Sequence, residues 1–231
     1  MLHKTLLACG IASALVYAAL DLIGGLGIEG YSFLHQAISE QSAVGVPRPF
    51  VLQVLSPVYM LLLTAFGIGV YLSAGSNRAL RMAGILIIAS GVSGIGWPLF
   101  PMSPRGAAEG QNDTGHIIMT IITLVLTMGF LGFGAAAFGR RFRAYSIATI
   151  IAVLLFGLLT APLAARLAAN QPTPWMGLYE RVCIYAYQLW LTVLAARLLG
   201  SGAARVPVTM PGTPRTGRDA GSSRPVSPHP G

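Results

Sequence analysis

The stretch HIIMTIITLVLTMGFLGFGAAAF, residues 116–138, followed at once by GRRFRA, residues 139–144, decides the fold. Crossing about 30 Å of hydrocarbon takes about 20 helical residues, and the first stretch offers them without one formally charged side chain. The second supplies the cluster of arginines that marks the cytoplasmic end of a span. Five further segments have the same character: residues 5–27, 52–73, 82–100, 146–167 and 179–199. The gaps between them are rich in Gly, Pro and charge, as boundaries require. Backbone polar groups in lipid must be satisfied within the segment, so the spans are helices. The expected fold is all-α: a polytopic membrane protein built as a six-transmembrane-helix bundle.

Composition agrees. Of 231 residues, 54% are hydrophobic and only 10% charged, against about 25% charged in soluble domains. The formal net charge of +8 would raise the question of nucleic acid in a soluble protein. Here the basic residues occupy short gaps and the C-terminal stretch, so the implied partners are membrane lipids and not nucleic acid. Cys9 and Cys183 lie near the starts of the first and last spans. Those starts face opposite sides of the membrane, beyond the roughly 7 Å that a disulfide allows. Both are read as small apolar core residues.

Orientation follows from Lys and Arg. With the N-terminus in the cytoplasm, 11 of the 15 basic residues fall inside, leaving Arg48, Arg105, Arg166 and Arg181 outside. Without the four arginines beyond residue 200 the partition is still 7 to 4. The expected location is a bacterial cytoplasmic membrane with both termini in the cytoplasm. The first segment is read as a retained span, because no clean small-x-small cleavage site follows its long apolar run. Residues 200–231 are rich in Pro, Gly, Ser and Arg and read as a disordered basic tail.

The acids fall on the other side. Asp21, Glu29, Glu40, Glu109, Asp113 and Glu180 all lie at outer span ends or in outer loops, with His35, His116, Tyr17, Ser39, Ser42, Trp97 and Arg181. Asp21 sits inside an apolar helix, where an aspartate must face the bundle interior and have a partner. Tyr17, one turn earlier, shares its face, and Arg181 or His116 could supply charge. Asp21 is therefore either a site carboxylate or half of a structural ion pair. His116, Thr120, Thr123 and Thr127 follow a spacing of four, three and four, one face of a helix. They are the wall of a polar cleft, or threonines bonded to backbone carbonyls at a helix contact. Ser90, Ser93 and Trp97 form a weaker stripe in the third span. In the loop 28–50 a short helix over 31–42 would put His35, Ser39 and Ser42 on one face. Gln188, near mid-membrane, is expected to bond another helix.

Three motifs carry a family resemblance. Ile38-Ser39-Glu40 is followed by Gly45 and Pro47; Phe100-Pro101 is followed by His116; Gly177-Leu178-x-Glu180-Arg181 opens the last span. In this order the chain resembles the bacterial six-span membrane proteins called domain of unknown function 998, over residues 6–199. Such proteins often carry an aspartate shortly after the Phe-Pro pair, where Ser103 stands here. The resemblance implies architecture without an assigned activity, and singles out Ser39, Glu40, His116, Glu180 and Arg181.

Two functions fit this pattern. The first is an outward polar pocket that binds a lipid or small ligand or plays a structural role, with ion pairs such as Glu40–Arg181 and Asp21–Arg181. The alternative is a membrane-embedded hydrolase at the outer interface. It would have Ser39 as nucleophile and Asp21, Glu40 and His116 as metal ligands or acid and base. The histidines lack the short spacing of strong zinc motifs, and the sequence names no cofactor. Carrier function ranks below both, because the inner half of every span lacks the acids that midplane ion sites use.

Overall fold

The computed structural model describes residues 1–47, 50–107 and 113–203. Six helices are long and apolar enough to cross a membrane: α1 (Leu2–Leu26), α2 (Phe50–Ser73), α3 (Arg78–Ser93), α4 (Thr114–Ala137), α5 (Arg140–Ala168) and α6 (Met176–Ala203). The span of α3 is completed by a 3-10 helix, Gly94–Leu99. No strand occurs among the described residues, so the protein is an all-α polytopic membrane protein. Each helix packs on its chain neighbours, and α6 closes the ring against α1. The end at which α1, α3 and α5 finish carries the longer connections and is called the loop end below.

The helices run past the apolar segments at several ends, because composition marks where lipid begins and capping marks where a helix begins. Asn77 accepts the Leu80 N–H at 3.0 Å, so α3 starts four residues before the expected 82. At the loop end α3 tightens into the 3-10 helix that contains Pro98, which has no N–H to continue an α ladder. Arg48, Glu109 and the expected basic tail beyond residue 203 lie outside the described residues.

Trp190, Phe66 and Phe130 are the largest fully buried side chains. Trp190 packs against Phe130 and Phe142 with ring centroids at 5.6 Å, and its indole N–H donates to Ser146 Oγ at 2.8 Å. Helices α2 and α3 approach closely because Gly84 meets the backbone of Tyr71. A Cβ there would lie 2.7 Å from the Tyr71 nitrogen. Among the described helices α5 packs chiefly on α4 and α6, and it turns most of its length outward.

Of the two readings of these polar stripes, bonding to the backbone of their own helix is seen for Thr120 and Ser90. Thr120 donates to the His116 carbonyl at 2.9 Å and Ser90 to that of Leu86 at 2.9 Å. Thr120 is exposed while Thr127 is buried, so the stripe of α4 runs from the surface into the bundle. The two cysteines are free.

Candidate ion-pair site at the loop end

Asp21 stands one to two turns before the end of α1, 5% exposed. A carboxylate so enclosed needs every lone pair occupied. Its Oδ1 accepts from the Arg181 guanidinium at 2.7 Å and from the Gln41 amide at 2.9 Å. Its Oδ2 accepts from Arg181 Nε at 3.0 Å and from the Tyr185 hydroxyl at 3.0 Å. The Asp21–Arg181 pair is thus bidentate and ties α1 to α6, with a third partner from the intervening loop and a fourth from α6 itself.

Arg181 does more than neutralise Asp21. Its NH1 donates to the carbonyls of Phe33 at 2.7 Å, Gly177 at 3.1 Å and Gln36 at 3.3 Å. Its NH2 also donates to Tyr31 Oη at 3.0 Å, and the Phe33 ring covers the guanidinium at 4.8 Å. The Tyr31 hydroxyl in turn donates to the Ala37 carbonyl at 2.7 Å. Burial pushes the Tyr31 phenol above its ordinary pKa, against the opposing hydrogen bonds from Arg181 and Gln41, so it stays a donor.

These bonds explain why residues 31–42 do not form the expected helix. The carbonyls of Phe33, Gln36 and Ala37 are taken by side chains from elsewhere, and Ala37 is extended with ψ 151. Only Ile38–Ser42 coils, as a 3-10 helix. The start of that helix is held twice over. Glu40 accepts the Ala37 N–H at 2.8 Å, and Glu180 on α6 accepts the Ile38 N–H at 2.5 Å. Gly177 lets this happen: a Cβ there would be driven into the carbonyl oxygens of Gln36 and Phe33.

Glu40 is 6% exposed. The expected pairing with Arg181 does not form. Arg181 lies deeper, beside Asp21, and Glu40 turns to Arg105, whose NH2 and Nε donate to its two oxygens at 2.9 and 3.0 Å. Arg105 also donates to the Gln171 carbonyl at 3.0 Å and Thr173 Oγ1 at 2.9 Å. Thr173 donates onward to the His35 carbonyl at 2.9 Å. Three connections, residues 27–47, 100–107 and 169–175, are thereby joined. Arg105 had no signal beyond its position after Phe100-Pro101, since nothing in its spacing names a partner 65 residues away.

The other expected residues are distributed around this core. Tyr17 shares the face of Asp21 but packs its ring on Tyr59 and Tyr185, at 5.2 and 6.2 Å; the hydroxyl that reaches Asp21 is that of Tyr185. His35 accepts the Trp175 N–H on Nδ1 at 3.1 Å. His116 belongs to a separate group, with Nδ1 3.1 Å from the Phe100 carbonyl and its ring 5.1 Å from Trp97. Ser39 lies in the 3-10 helix, its carbonyl accepting from Ser42. Among the described residues no three His, Cys, Asp or Glu side chains group in a way that could hold a metal ion. Asp21, Glu40 and His116 therefore do not assemble as a ligand set.

Beside the Glu40–Arg105 pair lies an open cleft of about 370 Å³, lined by His35, Gln36, Arg105, Arg166 and Thr173 with Pro172 and Pro174. Asp113 stands apart from it, accepting the Ser103 N–H and hydroxyl, both at 2.7 Å.

A family model described as "Protein of unknown function (DUF998)" matches residues 11–197. No curated protein and no solved structure matches the chain.

Proposed function

Because the chain belongs to this DUF998 family and has six membrane-crossing helices, we propose that it binds a lipid or small ligand at its loop end, as a non-catalytic membrane protein. The observation that carries this reading is the state of the two buried carboxylates. All four oxygens of Asp21 and Glu40 accept hydrogen bonds from fixed donors, chiefly two arginines. A carboxylate whose oxygens are all engaged in this way serves as an anchor. The anchors fix residues 31–42 over the bundle and shape one wall of the open cleft.

The loop end faces away from the cytoplasm. The support is the partition of Lys and Arg, 11 to 4 in favour of the opposite end, which is the pattern of a bacterial cytoplasmic membrane protein with both termini inside. The ligand therefore reaches the cleft from the outer leaflet or from outside the cell.

The hydrolase alternative needs Ser39, Glu40 and His116 to act on one substrate. Glu40 is bound to Arg105 and the Ala37 N–H, and His116 is engaged with Phe100 and Trp97. Native mass spectrometry of the purified full chain separates the two. Retention of a lipid or small molecule, unchanged in Ser39→Ala and His116→Ala, is expected. Turnover of a phospholipid or ester substrate that Ser39→Ala abolishes would overturn the reading.

A further inference from the structure

We propose that the cleft at the end of α5 takes the phosphate group of an anion, carried by a membrane lipid or free in solution. This rests on the ligand-binding reading above and names the chemistry of the ligand.

The lining of the cleft carries both acceptors and donors. Its acceptors are already committed. Glu40 is held by Arg105, Gln36 Oε1 accepts the Ser32 N–H at 2.8 Å, and His35 Nδ1 accepts the Trp175 N–H. Among the side chains of the lining residues, the groups left without a partner are donors: the amide nitrogen of Gln36, the Nε2–H of a neutral His35 and the guanidinium of Arg166. A neutral imidazole whose Nδ1 accepts must carry its proton on Nε2. The Arg166 carbonyl accepts the Gln171 N–H at 2.8 Å, but its guanidinium has no hydrogen bond or ion pair among the described residues, although Asp21, Glu40 and Asp113 all find partners. Among the described residues, two guanidinium groups against one carboxylate leave the cleft one positive charge in surplus. Donors with surplus positive charge are complementary to an oxyanion, and arginine suits phosphate through its planar fork of N–H groups.

The position of Arg166 favours a lipid as the carrier. It lies in the last turn of α5, on the same helical face as Leu158, Leu155 and Ile151 at spacings of eight, three and four. Those three are 72%, 50% and 59% exposed. An acyl chain lying along this stripe would bring its headgroup to the guanidinium, which can reach up from the hydrocarbon edge.

The test uses the full chain in nanodiscs of phosphatidylcholine, alone or mixed with phosphatidylglycerol, and follows lipid retained after extraction by native mass spectrometry. Preferential retention of phosphatidylglycerol is expected. Arg166→Gln should lower it about fivefold, the equivalent of roughly 1 kcal/mol per arginine at a membrane surface. Arg166→Lys, and Arg141→Gln at the far end of α5, should retain it. A second arm adds inorganic phosphate to the protein in phosphatidylcholine. A rise in melting temperature that Arg166→Gln removes, without lipid preference, assigns the site to soluble phosphate. If Arg166→Gln matches wild type in both arms, or Arg141→Gln loses as much, the proposal is overturned. Equal retention of both lipids, insensitive to Arg166, would overturn the anion and leave lipid binding standing. Retention of neither lipid nor phosphate would end both.

Discussion

Arg181 meets Asp21 side-on, Nε to Oδ2 at 3.0 Å and NH2 to Oδ1 at 2.7 Å, and so joins the last helix to the first. The side chains are 12% and 5% exposed. Removing one partner of such a pair strands the other charge, at a cost of about 3–5 kcal/mol, whereas removing both costs less. Arg181→Met and Asp21→Asn should each lower the melting temperature in detergent substantially, with the double variant nearer wild type than their sum. Additive losses would mean that the two residues act independently.

The second pair should behave differently. Arg105 is 24% exposed where Arg181 is 12%, and it ties loops to loops rather than helix to helix. Arg105→Gln removes charge-assisted hydrogen bonds worth about 1.5–3 kcal/mol each at most, discounted here for solvent. The expected outcome is faster amide hydrogen exchange in residues 36–42 with a smaller change in melting temperature than Arg181→Met gives. A global loss as large as that of Arg181→Met would show that Glu40–Arg105 supports the bundle itself.

Gly177 offers a purely steric test of the same loop. A methyl group at 177 would strike the Gln36 and Phe33 carbonyls, while one at Gly132 meets nothing within 4 Å. Gly177→Ala should cost about 1–3 kcal/mol by overpacking. Gly132→Ala should be neutral or stabilising by up to about 1 kcal/mol through helix propensity. Thermal unfolding of the two variants side by side reads the difference, and equal behaviour would contradict the close approach of α6 to residues 33–36.

The six spans and Asp21 were legible in the sequence for one reason: both are statements about a residue against an apolar background. The run at 116–138 and the single aspartate in the first span stand out without knowledge of any neighbour. Partners are another matter. Asp21 had Tyr17 on its own face, yet the hydroxyl that binds it belongs to Tyr185, on a helix that returns more than 150 residues later. Arg105 could be assigned to the outer side by its charge, but its partner Glu40 could not be named, for the same reason. The helix expected over 31–42 gave way to a 3-10 turn because side chains of α6 and Tyr31 occupy the carbonyls that a helix would use. Periodicity put His116 on a face of α4 but says nothing about which neighbour that face meets.

Orientation is tested by a reporter placed after Arg143, between α4 and α5. Arg140, Arg141 and Arg143 lie together there, and clustered arginines stay in the cytoplasm. A phosphatase fusion at this point should be inactive and a cytoplasmic fluorescent reporter bright. An exported fusion would reverse the bundle and put the arginine-lined cleft on the cytoplasmic side.

In mid-membrane, Gln188 and Tyr59 give a prediction whose order runs against simple bond counting. Gln188 Nε2 donates to Tyr59 Oη at 2.8 Å, and the residue is 2% exposed. Its Oε1 has no partner among the described residues. Tyr59→Phe therefore leaves the whole Gln188 amide unsatisfied in an apolar interior, a loss of about 1–3 kcal/mol. Gln188→Leu deletes the same bond but removes the orphaned oxygen with it. Gln188→Leu should thus melt closer to wild type than Tyr59→Phe, and adding Gln188→Leu to Tyr59→Phe should restore part of the loss. A double variant less stable than Tyr59→Phe alone would mean that the Gln188 oxygen has a partner, such as a bound water, that leucine cannot replace.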